Sequence, residues 1–274
     1  MELIDFDGLF DEKLAKYLEN NKDKYTEKQW EDIIPKLYQK FGDTVIKKLG
    51  CTPRGYYAKM TGEELVENLR QHLTNEVPVP EFLCTEIENR DVVPALLGLL
   101  DTEDEFVANY VVNLVGADRR AKDMYFDVLV ENKFNEEIRS DVTDVLRHFA
   151  DEFKGDALAF YKQGKSKEYM LEILSRVKVR DEEVYQALLT EFLTDEDNLR
   201  LNAGYLASYG DERALPYLLE RIEDKTLGFV AFQELKYAIE ALGGEYKEPR
   251  DFSADKDYLA IEAQGMSSSD ELKS

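Results

Sequence analysis

The sequence predicts an all-α protein, an α-solenoid of stacked antiparallel helical hairpins, and three observations predict it. Residues 92–101 (VVPALLGLLD) and 214–224 (ALPYLLERIED) have similar sequences. Their prolines are 122 residues apart, which makes four intervals of about 30, the length of one helix-turn-helix repeat. Between them, apolar residues recur at helical spacing, and no stretch combines strict alternation with a hairpin turn signal.

Turn residues divide this region into hairpins. Polar or glycine turns recur at steps of 31, 32, 31 and 29 residues, at Asp101, Asn132, Gly164, Asp195 and Asp224. Apolar first helices precede the middle turns, at 124–130, 157–161 and 184–193. Second helices are expected to follow the turns, at 106–115, 138–149, 169–177, 199–209 and 229–242.

Proline and glycine mark the helix ends. Pro94 and Pro216 precede the main apolar faces by about one turn, where a proline fixes a helical φ and loses no hydrogen bond. Gly210 and Asp211 are adjacent, so the glycine can end one helix in the left-handed conformation while the aspartate caps the next. Both signals favour short junctions between hairpins.

The segment from Gly210 to Leu219 (GDERALPYLL), closing in Glu223 and Asp224, resembles the turn and first helix of HEAT-like repeats. The resemblance extends over residues 90–244. It implies five repeats that stack into a right-handed superhelix of the armadillo type.

The two ends of the chain are expected to differ from this array. Residues 1–89 are interpreted as an irregular helical part, either capping or distorted repeats continuous with the array. Pro35 lies 59 residues before Pro94 in a similar phrase, and Thr61 with Glu64 forms a capping-box pattern. Residues 245–274 are interpreted as an extension whose last stretch, 266–274, is disordered.

Charge and composition restrict the partners. The chain carries 58 acidic against 35 basic residues, a net charge of -23, which disfavours binding to a phosphate backbone. The longest apolar run has nine residues, too few to cross a bilayer. Because the opening residues lack a signal peptide and the chain has only Cys51 and Cys84, we expect a cytoplasmic protein. The expected partner is a protein with a basic surface, not nucleic acid or membrane.

One stretch of the sequence is basic, although the chain as a whole is acidic. Its cations are interpreted as helix-end residues facing the helix dipole and solvent. They are Lys162, Lys165, Lys167, Arg176, Lys178 and Arg180.

No catalytic, cofactor-binding or metal-ligating residue is predicted. His72 and His148 belong to no metal-binding spacing, and the sequence has no nucleophile elbow, P-loop or dinucleotide fingerprint. The acidic clusters 101–105 and 195–197 lack the glycine and the last glutamate of a calcium loop. Carboxylates at the start of a second helix explain them better.

The candidate partner-binding residues lie on or near the second helices, which line the concave surface of such arrays. Tyrosine suits recognition because it buries a large area and keeps a hydroxyl, although it also fills gaps between helices. The candidates are Tyr110, Asn113, Arg147, His148, Tyr205, Tyr209 and Tyr237.

The sequence favours a noncatalytic protein-interaction or scaffold module with an acidic helical-repeat surface. Two alternatives stay open. Helical-repeat relatives include DNA alkylation-repeat glycosylases and bilin lyases, so the resemblance keeps an enzyme in view. An acidic inhibitor or immunity protein that blocks a basic effector is the other alternative.

Overall fold

The computed structural model describes residues 3–22, 24–261 and 263. Every regular element in this described part is a helix, which confirms the all-α prediction. Extended pairing in the same residues is limited to one isolated bridge between Ile46 and Cys51. None of the described helices combines the length and the apolar character of a membrane span. The predicted disorder of 266–274 lies outside the described residues.

The chain forms two compact units. The first comprises the residues up to 128 together with 133–142, and the second comprises 129–132 and the residues from 143 onward. The predicted division into 1–89, 90–244 and 245–274 stays a prediction.

The first unit begins with helices set by local caps. At the start of the helix Gly62–Thr74, Thr61 Oγ1 accepts from the Glu64 N–H at 3.2 Å, and the Glu64 carboxylate accepts from the Thr61 N–H at 2.8 Å. These two bonds form the predicted capping box. Pro35 instead lies inside the second helix, which another capping box opens at Thr26. The helices are α1 (Phe6–Asn21), α2 (Glu27–Gly42), α3 (Pro53–Tyr57), α4 (Gly62–Thr74) and α5 (Glu81–Glu88).

Five helix pairs follow, and each predicted turn lies between the two helices of one pair. The first helices of the pairs are α6 (Val93–Leu97), α8 (Lys122–Val130), α10 (Ala150–Lys162), α12 (Glu182–Thr194) and α14 (Leu215–Ile222). The second helices are α7 (Glu105–Val115), α9 (Glu136–His148), α11 (Lys167–Leu174), α13 (Leu199–Tyr209) and α15 (Phe229–Ala241). Gly210 ends α13 at φ 73°, and Asp211 accepts from the Arg213 N–H at 3.0 Å, as the sequence predicts.

The second helices share one register, counted from the residue that precedes each of them. These preceding residues are Asp104, Asn135, Ser166, Asn198 and Gly228. Side chains seven and eleven positions later are buried after all five of these residues, and they lie inside the second helices except for Val177, which follows the end of α11. The residue six positions later is never buried. This sixth position is occupied by Tyr110, Asp141, Glu172, Gly204 and Glu234. One side of each second helix therefore builds the core, and the other, here called the outer face, does not.

In the second unit the second helices pack on one another. α13 contacts α11 and α15 as well as its partner α12. The residues after α15 are fastened to the last pair, because Arg250 donates to the carbonyl oxygens of Ile222 and, at 2.8 Å, Asp224. The ring of Phe252 packs against Phe229. The outer faces of α11, α13 and α15 thus belong to one packed layer.

Candidate functional site

One cavity of the second unit lies on the outer faces of α11, α13 and α15. It has a volume of about 590 Å³ and is called the Gly204 cleft below. Gly204 occupies the sixth position of α13, where the neighbouring helices carry Glu172 and Glu234. A Cβ atom built at Gly204 meets no heavy atom within 4 Å. The cleft therefore exists where the repeated register places no side chain.

The lining of the cleft mixes apolar and charged groups. Leu201 contributes an apolar side chain that is 38% exposed, one turn before Gly204. Arg176, two residues after the end of α11, and Arg200 of α13 lie on the rim. Tyr205 contributes to the wall although the residue as a whole is buried. Burial raises the pKa of its phenol, so Tyr205 is neutral at physiological pH.

Arg147 is held beside this cleft by ion pairs. It contacts Asp144 at 2.8 Å on its own helix and also Glu172, which lines the Gly204 cleft. A second cavity of about 430 Å³, called the Arg147 cavity below, contains Arg147, the exposed His148 and Lys178. Arg176 lines both cavities. The structure thus brings Arg147, His148 and Tyr205 to adjoining sites.

Tyr209 has a different environment, since it is buried between two helix pairs. Its hydroxyl donates to the Asp181 carbonyl at 3.0 Å and accepts from the Asp181 N–H at 2.8 Å. The Arg180 guanidinium lies over its ring, 5.2 Å from the centroid. Its hydroxyl is therefore occupied by the backbone 28 residues away, and packing explains its presence.

We expect Tyr209→Phe to lower the free energy of unfolding by about 1–2 kcal/mol, because it removes two hydrogen bonds to the half-buried N–H and carbonyl of Asp181. Urea unfolding monitored by circular dichroism measures this loss. The matched control is Tyr205→Phe, whose hydroxyl has only a long contact of 3.5 Å with the Glu168 carbonyl. An equal loss in both variants would contradict the role assigned to Tyr209.

The candidates on α7 lie in the first unit. The Tyr110 hydroxyl is 3.1 Å from the Cys84 sulfur, and the Asn113 amide bonds to Asn109 of the same helix. Tyr110 also lines a cavity of about 540 Å³ together with His72 and Phe106, whose ring is 62% exposed. The exposed Phe106 was not among the predicted site residues.

His72 is a structural residue at the wall of that cavity. Its Nδ1–H donates to the Pro78 carbonyl at 2.8 Å, and its buried Nε2 has no hydrogen-bond partner. Burial lowers the pKa of the imidazole, so the ring is neutral. A neutral ring of this kind holds the loop after α4 in place.

Tyr237 on α15 is 62% exposed and lies one turn after Glu234. Gly204 and Arg200 are among the cleft residues that sequence reasoning did not select. The sequence could have indicated Gly204, because a glycine in the middle of a predicted helix lowers helix stability and so suggests another role. It could not have indicated Arg200, because the sequence does not show which cations form ion pairs.

Most of the basic stretch is committed to the fold. Lys162 pairs with Glu183 at 2.6 Å and Lys167 with Glu191 at 2.7 Å. Arg180 donates to the last carbonyl oxygens of α13, those of Tyr209 at 2.9 Å and of Gly210. Arg180 thus meets a helix end, as the helix-end interpretation expects, whereas Lys162 and Lys167 face carboxylates of α12. Arg176 and Lys178 differ, because they line cavities.

Within the described residues, no group of three or more His, Cys, Asp or Glu side chains is arranged to hold a metal ion. Comparisons of the chain with protein-family models, with curated proteins and with solved structures found no match.

Proposed function

We propose that this protein is a noncatalytic protein-binding module, a HEAT-like α-solenoid that holds its partner on the outer faces of its second helices. The observation that carries the proposal is the Gly204 cleft. Its lining comes from three successive second helices, α11, α13 and α15. A site shared by consecutive repeats is what a repeat array uses to bind an extended surface.

Two features support the repeat itself. The five pairs follow one another at the predicted interval, and their turns fall where the helices of each pair meet. Second helices pack on second helices in α11, α13 and α15, which is the neighbour relation of stacked hairpins. The right-handed superhelical twist belongs to the same proposal.

The chemistry of the cleft favours recognition over catalysis. Its charged groups include Arg147's partner Glu172 on one wall and Glu234 on the other. The net charge of -23 disfavours the glycosylase alternative, because a nucleic-acid groove needs cations that neutralise phosphates. The bilin-lyase-like and inhibitor alternatives are supported by no particular contact. A basic partner surface and a cytoplasmic location stay predictions from composition.

Hydrogen exchange of the full chain with a captured partner tests the proposal. We expect the partner to slow amide exchange in α11, α13 and α15, with little change in α12 and α14, because first helices lie on the other side of each hairpin. Slower amide exchange shows that a helix opens less often or that the partner covers it. Protection confined to the first helices, or no protein captured at physiological salt, would contradict the proposed function.

A further inference from the structure

Two arginine side chains in the described part of the chain make no hydrogen bond and no ion pair. The chain has thirteen arginines, and within residues 3–22, 24–261 and 263 the exceptions are Arg176 and Arg200. Both exceptions are exposed and both line the Gly204 cleft. Two free guanidinium groups thus meet at one cavity.

This coincidence is informative because acids are in excess, with 58 Asp and Glu against 35 Lys and Arg. A surface arginine in such a chain meets carboxylates in most directions. Asp197 and Glu234 line the same cleft, and among the described contacts neither pairs with Arg176 or Arg200. The two guanidinium groups therefore keep their donors available.

The free positive charge continues beyond the cleft. Lys178 of the adjoining Arg147 cavity is exposed and has no ion pair among the described residues. The acids of that cavity are occupied, Asp144 by Arg147 at 2.8 Å and Asp151 by the backbone N–H groups of Lys178 and Val179 at 2.9 Å. Cations without an ion pair thus run from Lys178 through Arg176 to the cleft, although the carboxylate of Asp151 beside them keeps its charge.

We propose that the Gly204 cleft binds an extended acidic segment of the partner protein, whose oxyanion groups meet Arg176 and Arg200. Guanidinium forks bind carboxylates and phosphates through two parallel hydrogen bonds. A small or apolar side chain of the segment packs over Gly204 against Leu201. This inference rests on the proposed function and identifies the chemistry of its ligand.

The net charge of -23 does not oppose such a contact at physiological salt. Exposed charges are screened over about 8 Å at 0.15 M ionic strength. The nearest groups then decide the binding energy, and on this rim the groups with open donors are arginines. The overall charge slows the encounter with an acidic segment, and added salt relieves that repulsion.

Peptide binding to the full chain tests the inference. Three labelled peptides of twelve residues share a glycine and alanine frame and carry glutamates, phosphoserines or lysines at the same positions. Fluorescence anisotropy at 0.15 M salt should show that the glutamate or the phosphoserine peptide binds and that the lysine peptide does not. The acidic peptide with the higher affinity shows whether the cleft prefers carboxylate or phosphate groups.

Charge reversal provides the variants. Arg176→Glu and Arg200→Glu should each weaken the acidic peptide at least about tenfold, the loss of one charge-assisted contact plus the new repulsion. Lys256→Glu makes the same change of net charge at an exposed residue outside both cavities, and it should change the affinity less than twofold. The double variant should instead bind the lysine peptide.

Several results would overturn the inference. They are tighter binding of the lysine peptide by the unmodified chain, an unchanged affinity of the acidic peptides for both reversed variants, and no binding of either acidic peptide at millimolar concentration. A partner footprint on α11, α13 and α15 that survives both charge reversals would remove the acidic ligand and leave the proposed function standing.

Discussion

Replacing Leu206 by alanine is expected to lower the free energy of unfolding by about 3 kcal/mol, the typical loss for a large-to-small change that leaves a cavity. Leu206 is 1% exposed and belongs to α13, which packs against α11, α12 and α15. No single neighbour can move to fill the space, because three helices fix it. Urea unfolding of the full chain, followed by circular dichroism and analysed for the second unit, measures the loss.

Leu201→Ala is the matched control, with the same atoms removed from the same helix. Leu201 is 38% exposed on the outer face, so the expected change in the free energy of unfolding is within about 0.5 kcal/mol. The same variant should weaken binding of the partner, since Leu201 lines the Gly204 cleft. Similar losses of stability at both leucines would mean that the inner and outer faces of α13 are assigned incorrectly.

Local signals made the helix pairs predictable. Turns are decided by a few residues whose conformational preferences do not depend on the rest of the protein. Gly210 adopts φ 73°, and Asp211 caps the next helical turn, as their types alone indicate. Asn132 and Gly164 also have positive φ at the predicted turns.

The same logic explains why two similar stretches place their prolines differently. Pro94 lies in the first turn of α6, whereas Pro35 lies inside α2, because α2 begins earlier, at the capping box of Thr26 and Gln29. Two side-chain hydrogen bonds at a helix start outweigh the preference of proline for the first turn. The irregular character of 1–89 remains a prediction.

The site was less predictable because it depends on register and on distant partners. Tyr205 and Tyr209 fall at the seventh and eleventh positions after Asn198, which are core positions, whereas Tyr237 falls on the outer face. The helical period alone does not fix this count without the helix start. The bond from Tyr209 to Asp181 spans 28 residues, and nothing local in the sequence indicates it.

A large side chain at Gly204 should change partner binding without lowering the stability of the fold. We expect Gly204→Trp to reduce partner binding at least about a hundredfold, because an indole at this position occupies the part of the cleft over α13 where no side chain now lies. The fold should persist, since a Cβ at Gly204 meets nothing within 4 Å. Binding is measured by anisotropy or calorimetry with the captured partner, and the fold by circular dichroism.

Gly155 provides the control, because it lies inside α10 with the same open space around its Cβ but outside the cleft. Gly155→Trp should leave binding unchanged. Alanine at either glycine should raise the free energy of unfolding by about 0.5–1 kcal/mol through the lower entropy of the unfolded chain. If Gly204→Trp bound the partner as well as Gly155→Trp and the unmodified chain do, the cleft would not be the binding site. Among the sixth positions of the five second helices, Gly204 is the one without a side chain, so a ligand of the cleft must lie where the indole is placed.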